Sequence, residues 1–366
     1  MTAGQHPGIL PDQHINDMLR TGVIATAAAP DPDQVQPASL DLRLGNIAYR
    51  VRASFLPGPS TTVDARLQEL RLHEIDLSHG AVLETGCVYI VPLQESLNLP
   101  ADIGATANPK SSTGRLDIFT RVITDQAEAF DTITAGYSGP LYAEISPRSF
   151  PALVRAGSRL SQIRFRRGDT RLSDAELATL HQSDRLVNED NAKFSGGLTL
   201  SIDLDGSDPD RVIGYRAKRH SSLIDVDRKA GYELYDFWEP INLRGRSSLI
   251  LDPDEFYILV SREAVHVPPD YAAEMVPFDP LVGEFRVHYA GFFDPGFGHS
   301  ASGGSGSRGV LEVRSHDVPF ILNDGQIVAR LVYERMAERP QTLYGTGIGS
   351  NYQAQGLKLS KHFKVD

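Results

Sequence analysis

The chain has 366 residues, more than one ordinary hydrophobic core organises, so two or three domains are expected. It is 41% hydrophobic and 23% charged, ordinary for a soluble globular protein, and its net charge of −11 argues against a general nucleic-acid binder. No apolar run approaches the ~18 residues of a membrane span. Met1–Leu10 lacks the basic-then-apolar pattern of a secretory leader, so a cytoplasmic protein is expected. The single cysteine, Cys87, excludes an intramolecular disulfide and reads as a small buried hydrophobe in the run Cys87–Val91.

In chain order, His14 to Thr21 is predicted as a helix, with Ile15, Met18 and Leu19 at helical spacing. Short β-runs separated by Pro, Gly and Asp turns follow, among them Ala81–Leu83, Val88–Val91 and Leu141–Ile145. A second helix is expected from Leu172 to Leu186, capped by Ser173 or Asp174 and packed through Leu177, Leu180 and Leu186. Beyond it, Val310–Val313 reads as another strand and the Gly- and Ser-rich stretch Ser300–Ser307 as a flexible insertion loop. The pattern predicts a mainly β protein with few helices, built as antiparallel sandwiches or barrels.

The chain repeats itself at long range. Val88-Tyr89-Ile90-Val91 matches Phe256-Tyr257-Ile258-Leu259 at an offset of 168. The same offset carries Glu95 onto Glu263, Pro100-Ala101-Asp102 onto Pro268-Pro269-Asp270 and Glu144 onto Glu312. It also carries Gly157 onto Gly325 and Gln162–Phe165 onto Arg330–Tyr333. Nearer the start of each copy, Ser39-Leu40-Asp41-Leu42 resembles Ser201-Ile202-Asp203-Leu204, at an offset of 162. So long a period is a duplicated domain rather than a solenoid. The expected division is a first domain at 1–170, a helical linker at 171–192 and a second domain at 193–366.

The copies differ where chemistry would sit. Copy one has Lys110-Ser111-Ser112-Thr113-Gly114-Arg115-Leu116, with hydroxyls, an ammonium and a planar guanidinium suited to an anion. Copy two has Phe278-Asp279-Pro280-Leu281-Val282-Gly283-Glu284 there, where Asp279 would repel phosphate. Conversely, copy two has Ala290-Gly291-Phe292-Phe293-Asp294-Pro295-Gly296-Phe297-Gly298, while copy one has Thr134-Ala135-Gly136-Tyr137 without Asp-Pro-Gly. Each copy thus keeps half of a site.

At these residues the chain resembles deoxycytidine triphosphate deaminases, relatives of the trimeric dUTPases. Copy one carries the family's Ser-Ser-x-x-Arg-Leu motif in Ser111–Leu116, and Ser39–Asn46 is close to its N-terminal strand. Copy two carries the Ala-x-x-x-Asp-Pro-Gly-aromatic-x-Gly motif in Ala290–Gly298, then Val310-Leu311-Glu312-Val313 and Gly325–Val328. The tail has Tyr344 and Tyr352-Gln353-Ala354-Gln355-Gly356. The resemblance implies two tandem dUTPase-like β-barrel or β-clip domains. In single-domain members, neighbouring subunits share a site, one giving the Ser-Ser-Arg segment and the other the base pocket and glutamate.

Hydrolytic deamination needs an activated water and a proton shuttle, commonly supplied by zinc with a glutamate. One cysteine and eleven histidines without metalloenzyme spacing do not make that zinc site. The resemblance implies a zinc-free pocket with Glu312 as general base and acid, its pKa raised by burial, and Ser111 and Arg115 beside the water or developing charge. The Ala290 carbonyl would orient the water, and Glu144 would be a relic. Lys110, Ser111 and Ser112 would hold phosphate, with Mg2+ bridging the triphosphate. Asp294 would take the sugar 3′-hydroxyl, Phe297 would exclude a 2′-hydroxyl, and Tyr344, Tyr352 and Gln355 would close over the phosphates. The family's lysine before the second tail tyrosine is Asn351 here, with Lys358 and Lys361 as candidate replacements.

The expected partners are dCTP, dUTP and, as a candidate inhibitor, dTTP, with neither nucleic acid nor membrane. A homo-oligomer is compatible with the family's trimers, a monomer with the doubled chain. Two rival readings remain. The stretch Tyr344–Ser350 faintly resembles the glycine-rich arm of dUTPases, which keeps a dUTPase or bifunctional enzyme open. A non-catalytic nucleotide-binding module is the other.

Overall fold

The structure, a computed structural model, describes residues 6–189, 192–205, 207–208, 210–277, 285–287, 291–315, 317–345 and 356–364, with backbone alone at 277 and 285–287. The chain divides into two compact units. The first holds Met1–Thr170, His220–Gly231 and Met336–Gln341; the second holds Arg171–Arg219, Tyr232–Arg335 and Thr342–Asp366. Both are mainly β, as the alternating runs and frequent turns require.

In the first unit, one sheet is ordered Thr132–Ile133, Ile103–Pro109, Ser161–Arg167, Ser39–Leu42, Val35–Gln36. The other is ordered Ile118–Thr124, Ser138–Pro147, Val88–Asn98, Ile47–Val51, Arg71–Asp76. Their inward side chains, including Leu40, Leu42, Ala105, Ile163, Leu97, Val122 and Leu141, form one buried cluster. The helix runs from Asp12 to Thr21, two residues earlier than its sequence suggested, and buries Ile15 and Met18. Gly22, in the left-handed region at φ 77°, ends it. The excursion 220–231 adds the strand Ile224–Asp225 parallel to Ala152–Val154. Arg155 clamps it through Asp225 at 2.8 and 2.9 Å.

The second unit repeats the plan. Leu198–Ser201, Ile327–Arg335, Tyr271–Pro277 and Phe292–Phe293 form one sheet. Trp238–Ile241, Gly214–Ala217, Phe256–Val265, Ser307–Ser315 and Phe285–Val287 form the other. Leu198, Leu331, Met275, Leu259, Leu311 and Val313 belong to its core. The helix Asp174–Ser183, within the segment expected as a linker, is part of this unit. Ser173 and Glu176 close a reciprocal capping box at its start, and Leu177 is fully buried.

The duplication holds at the level of single hydrogen bonds. Ile90 pairs with Glu144 as Ile258 pairs with Glu312, and Phe165 with Ala105 as Tyr333 with Ala273. Tyr89 Oη accepts the Glu84 N–H at 3.0 Å, and Tyr257 Oη accepts the Asp252 N–H at 3.0 Å. Glu95 accepts the Arg43 N–H at 2.8 Å, and Glu263 accepts the Ser201 N–H at 2.8 Å. These last bonds correct one sequence match. Arg43 corresponds to Ser201, and Gly45, bonded to Pro92 O, corresponds to Asp203, bonded to Val260 O. The offset there is 158, so the likeness of Ser39–Leu42 to Ser201–Leu204 is not a structural equivalence.

Glu95 also receives Arg43 Nε and Gln34 Nε2, each at 2.8 Å, in a buried site. Replacing Glu95 by Ala leaves the buried Arg43 guanidinium without its carboxylate. A stability loss of about 3–5 kcal/mol is expected, measurable by chemical denaturation; a loss under ~1 kcal/mol would show the clamp to be dispensable.

Candidate active-site residues

In the first unit the strand Ile103–Pro109 runs into a one-turn helix, Ser111–Gly114, with Lys110 and Arg115 as its flanking caps. Lys110 O accepts from the Thr113 and Gly114 N–H groups, and the Arg115 N–H donates to Ser111 O at 3.1 Å. That turn places Ser111 and Arg115 four residues apart on one face. Ser112 and Arg115 are buried and Ser111 half-buried. Asp117 ends the segment in the left-handed region at φ 55°, and its carboxylate is fixed by Ser149 Oγ at 2.7 Å. Leu116 anchors the turn in the interior.

Lys110 was expected to meet phosphate directly. Its ammonium is ion-paired to Asp41, a carboxylate that also receives Arg159 at 3.4 Å. Arg159 reaches Asp31 and Asp33 at 2.7 Å each. The Arg159 guanidinium holds the Asp33 carboxyl below its usual range. Lys110 therefore sits at the end of a charged chain that the sequence did not reveal, although Asp41 lies in the quoted Ser39–Asn46 stretch.

Glu144, the counterpart of Glu312, is buried and bound by Arg121, with Nη2 to Oε1 at 2.5 Å and Nε to Oε1 at 3.1 Å. The Arg121 guanidinium lies 3.4 Å from the Phe130 ring centroid and 4.6 Å from that of Phe119. A structural ion pair thus occupies this carboxylate, which the sequence had suggested as a relic without naming its partner.

In the second unit Glu312 lies mid-strand in Ser307–Ser315 and is 4% exposed. Asp294 and Phe297 are also buried. They belong to a tight turn closed by the Phe297 N–H to Asp294 O at 3.0 Å and the Gly296 N–H to Val267 O at 2.9 Å. Gly296 takes φ 95°, where a side chain would be strained and its Cβ would meet Leu343 Cβ at 3.1 Å. Phe297 packs edge-on to Phe293, centroids 4.9 Å apart, and the Tyr344 ring lies 5.5 Å from it. Tyr344 is tied to the turn by its N–H to Pro295 O at 2.9 Å. The first unit makes the same turn with Thr134–Tyr137, where Ile133 pairs with Ala105 as Phe293 pairs with Ala273.

Ala290, Tyr352 and Gln355, together with Asn351, lie outside the described residues. Among the described residues no three His, Cys, Asp or Glu side chains gather as metal ligands, and no helix is long and apolar enough to cross a membrane. The stretch Ser300–Ser307, expected as a flexible loop, forms the 3-10 turn Ser300–Ser302 with Ser302 buried. It belongs to the site's surroundings, and its composition gave no sign of that.

Residues 6–169 match the N-terminal domain model of 2′-deoxycytidine 5′-triphosphate deaminase, and residues 173–363 match the C-terminal one. A crystal structure of 2′-deoxycytidine 5′-triphosphate deaminase from Agrobacterium tumefaciens is 66% identical, with a TM-score of 0.89 over 94% of this chain and 99% of that one. A dCTP deaminase of Shewanella amazonensis is 30% identical over 167 residues, 43% of this chain and 82% of that protein. A relative from Dictyoglomus thermophilum, named "dCTP deaminase, dUMP-forming", is 28% identical over 43% of this chain and 79% of its own length. With both halves matched by the family's own domain models and nearly the whole chain matched by a solved member, the chain belongs to the 2′-deoxycytidine 5′-triphosphate deaminase family.

Proposed function

We propose that this deaminase converts dCTP and water to dUTP and ammonia without zinc, with Glu312 activating the water. The observation that carries the reading is the contrast between equivalent carboxylates. Glu144 is held by Arg121 in the half that keeps Ser111 and Arg115, whereas Glu312 lies in the half that keeps the Asp294–Phe297 turn.

Glu312 takes a proton from water as its oxygen adds to C4 of the cytosine and passes that proton to the ring nitrogen N3. The tetrahedral centre then collapses. Glu312 takes the proton of the new C4 hydroxyl and delivers it to the amine, the C4–N4 bond breaks, ammonia leaves, and C4 becomes a carbonyl carbon. Ser111 and Arg115 stabilise the attacking water and the charge that develops on the centre. The Ala290 carbonyl orients the water. Asp294 accepts the 3′-hydroxyl, and Phe297 closes the space beside the sugar so that a ribonucleotide is refused.

Lys110, Ser111 and Ser112 meet the triphosphate, with Asp41 and Arg159 presenting Lys110. Tyr344, Tyr352 and Gln355 cover the phosphates. Mg2+ bound with the nucleotide would offset the charge of the triphosphate that Lys110, Ser111 and Ser112 would hold. Sharing deoxyribose and triphosphate with the substrate, dTTP is the inhibitor this arrangement would admit.

The expected consequence of Glu312→Gln is a fall in deamination of about 10²–10⁴-fold with dCTP still bound, followed by ammonia release and nucleotide titration. Glu144→Gln should keep wild-type turnover and cost about 1–3 kcal/mol of stability. The reverse pattern would reassign the catalytic carboxylate.

The dUMP-forming relative supports a second reading, in which dUTP is cleaved as well. Product analysis decides between them. Ammonia and dUTP in equal amounts are expected, and stoichiometric pyrophosphate with dUMP would establish the bifunctional enzyme.

A further inference from the structure

We infer that residues 298–306 are a brace that fixes the sugar-binding turn Asp294–Phe297, with Ser302 and His299 as its positioning residues. The inference rests on the assignment of that turn to the sugar. Its starting point is chain length. From Ile133 to Tyr137 the second half follows at an offset of 160, as Phe293–Phe297, yet Gly139 and Ser307, paired with Leu97 and Val265, are again 168 apart. The second half therefore has nine residues, 298–306, directly after the turn where the first half has only Ser138, a net insertion of eight.

The first half holds its turn without an insertion. Tyr137 Oη donates to Pro140 O at 2.7 Å and accepts the Asp125 N–H at 3.2 Å. Burial pushes this phenol up to about 12, so the hydroxyl stays a donor at neutral pH. A ring pinned at its hydroxyl to the backbone serves the fold. The second half has Phe297 at this position, which has no hydroxyl and forfeits both hydrogen bonds.

The insertion supplies replacements. Ser302 Oγ donates to Gly296 O, with His299 O also in reach at 3.0 Å. The His299 N–H donates to Gly296 O at 3.1 Å, and the Gly306 N–H closes the base of the loop on Gly298 O at 2.9 Å. His299 Nδ1 accepts the Ala301 N–H at 3.0 Å, so the hydrogen-bond pattern places the ring proton on Nε2. Nε2 lies 3.1 Å from each oxygen of Asp184, the C-cap residue of the helix Asp174–Ser183. That helix is seated in the core through Leu177. The brace thus ties the Gly296 carbonyl to a rigid element. A Cβ at 296 would stand 3.2 Å from Ser302 Oγ, which measures how closely turn and brace are packed.

The test is steady-state kinetics with dCTP and CTP on Ser302→Ala, Ser302→Thr, His299→Ala and Asp294→Asn, with thermal unfolding recorded for each. Ser302→Ala and His299→Ala should raise the KM for dCTP by about 5–30-fold and lower discrimination against CTP, with kcat unchanged. Ser302→Thr, which keeps the hydroxyl, should restore both. If the two alanine variants keep wild-type KM and discrimination while Asp294→Asn raises the KM for dCTP, the brace is refuted and the sugar assignment stands. A fall in unfolding temperature with unchanged KM counts against the brace in the same way. If Asp294→Asn also keeps the wild-type KM, the sugar assignment itself has failed.

Discussion

The register of the central strand pair constrains everything else in each half. Ile90 faces Glu144 and Ile258 faces Glu312, so both copies carry a carboxylate at one point of one sheet. A carboxylate withdrawn from water needs compensation. In the first half Arg121 provides it and the charge becomes part of the fold. Glu312 stands at the same point of the second half's sheet and is 4% exposed, so it meets the same constraint. The duplication therefore fixed where a carboxylate stands in both halves.

The same logic extends outward from that strand pair. Between Pro109 and Ile133 the first half has room for the Ser111–Arg115 turn, and the corresponding stretch from Pro277 to Phe293 is eight residues shorter. After the Gly136 or Gly296 turn the balance reverses and the second half is eight residues longer. Loss and gain fall on the two flanks of the shared turn, and the strands on either side, Ile103–Pro109 with Tyr271–Pro277 and Ser138–Pro147 with Ser307–Ser315, keep the offset of 168. The core strands keep their pairing because moving them by one residue would turn the core face outward. Loops absorb the divergence.

Much of this was legible from the residues. Long matching strands such as Val88–Val91 and Phe256–Leu259 announced the duplication, and Glu144 and Glu312 fell at equivalent points because sheet register follows spacing. The Leu172–Leu186 pattern foretold a helix, trimmed to Asp174–Ser183 by its capping box. The match of Ser39–Leu42 to Ser201–Leu204 misled because four alternating residues recur easily. The true register is set by backbone bonds to Glu95 and Glu263, far off in the chain. Pairings such as Lys110 with Asp41 and His299 with Asp184 join residues 69 and 115 positions apart, and no local pattern encodes them. Composition marked Ser300–Ser307 as loose, although Ser302 is buried there and donates to Gly296 O.

The proposed reaction draws on residues of both copies, Ser111 and Arg115 from the first and Glu312 from the second, and so calls for one nucleotide per chain. The most direct measurement is the stoichiometry of dCTP binding to the Glu312→Gln variant by titration calorimetry. One nucleotide per 366-residue chain is the expected result. Two per chain would mean that each half binds its own nucleotide, and the complementary losses in the two copies would then have another cause.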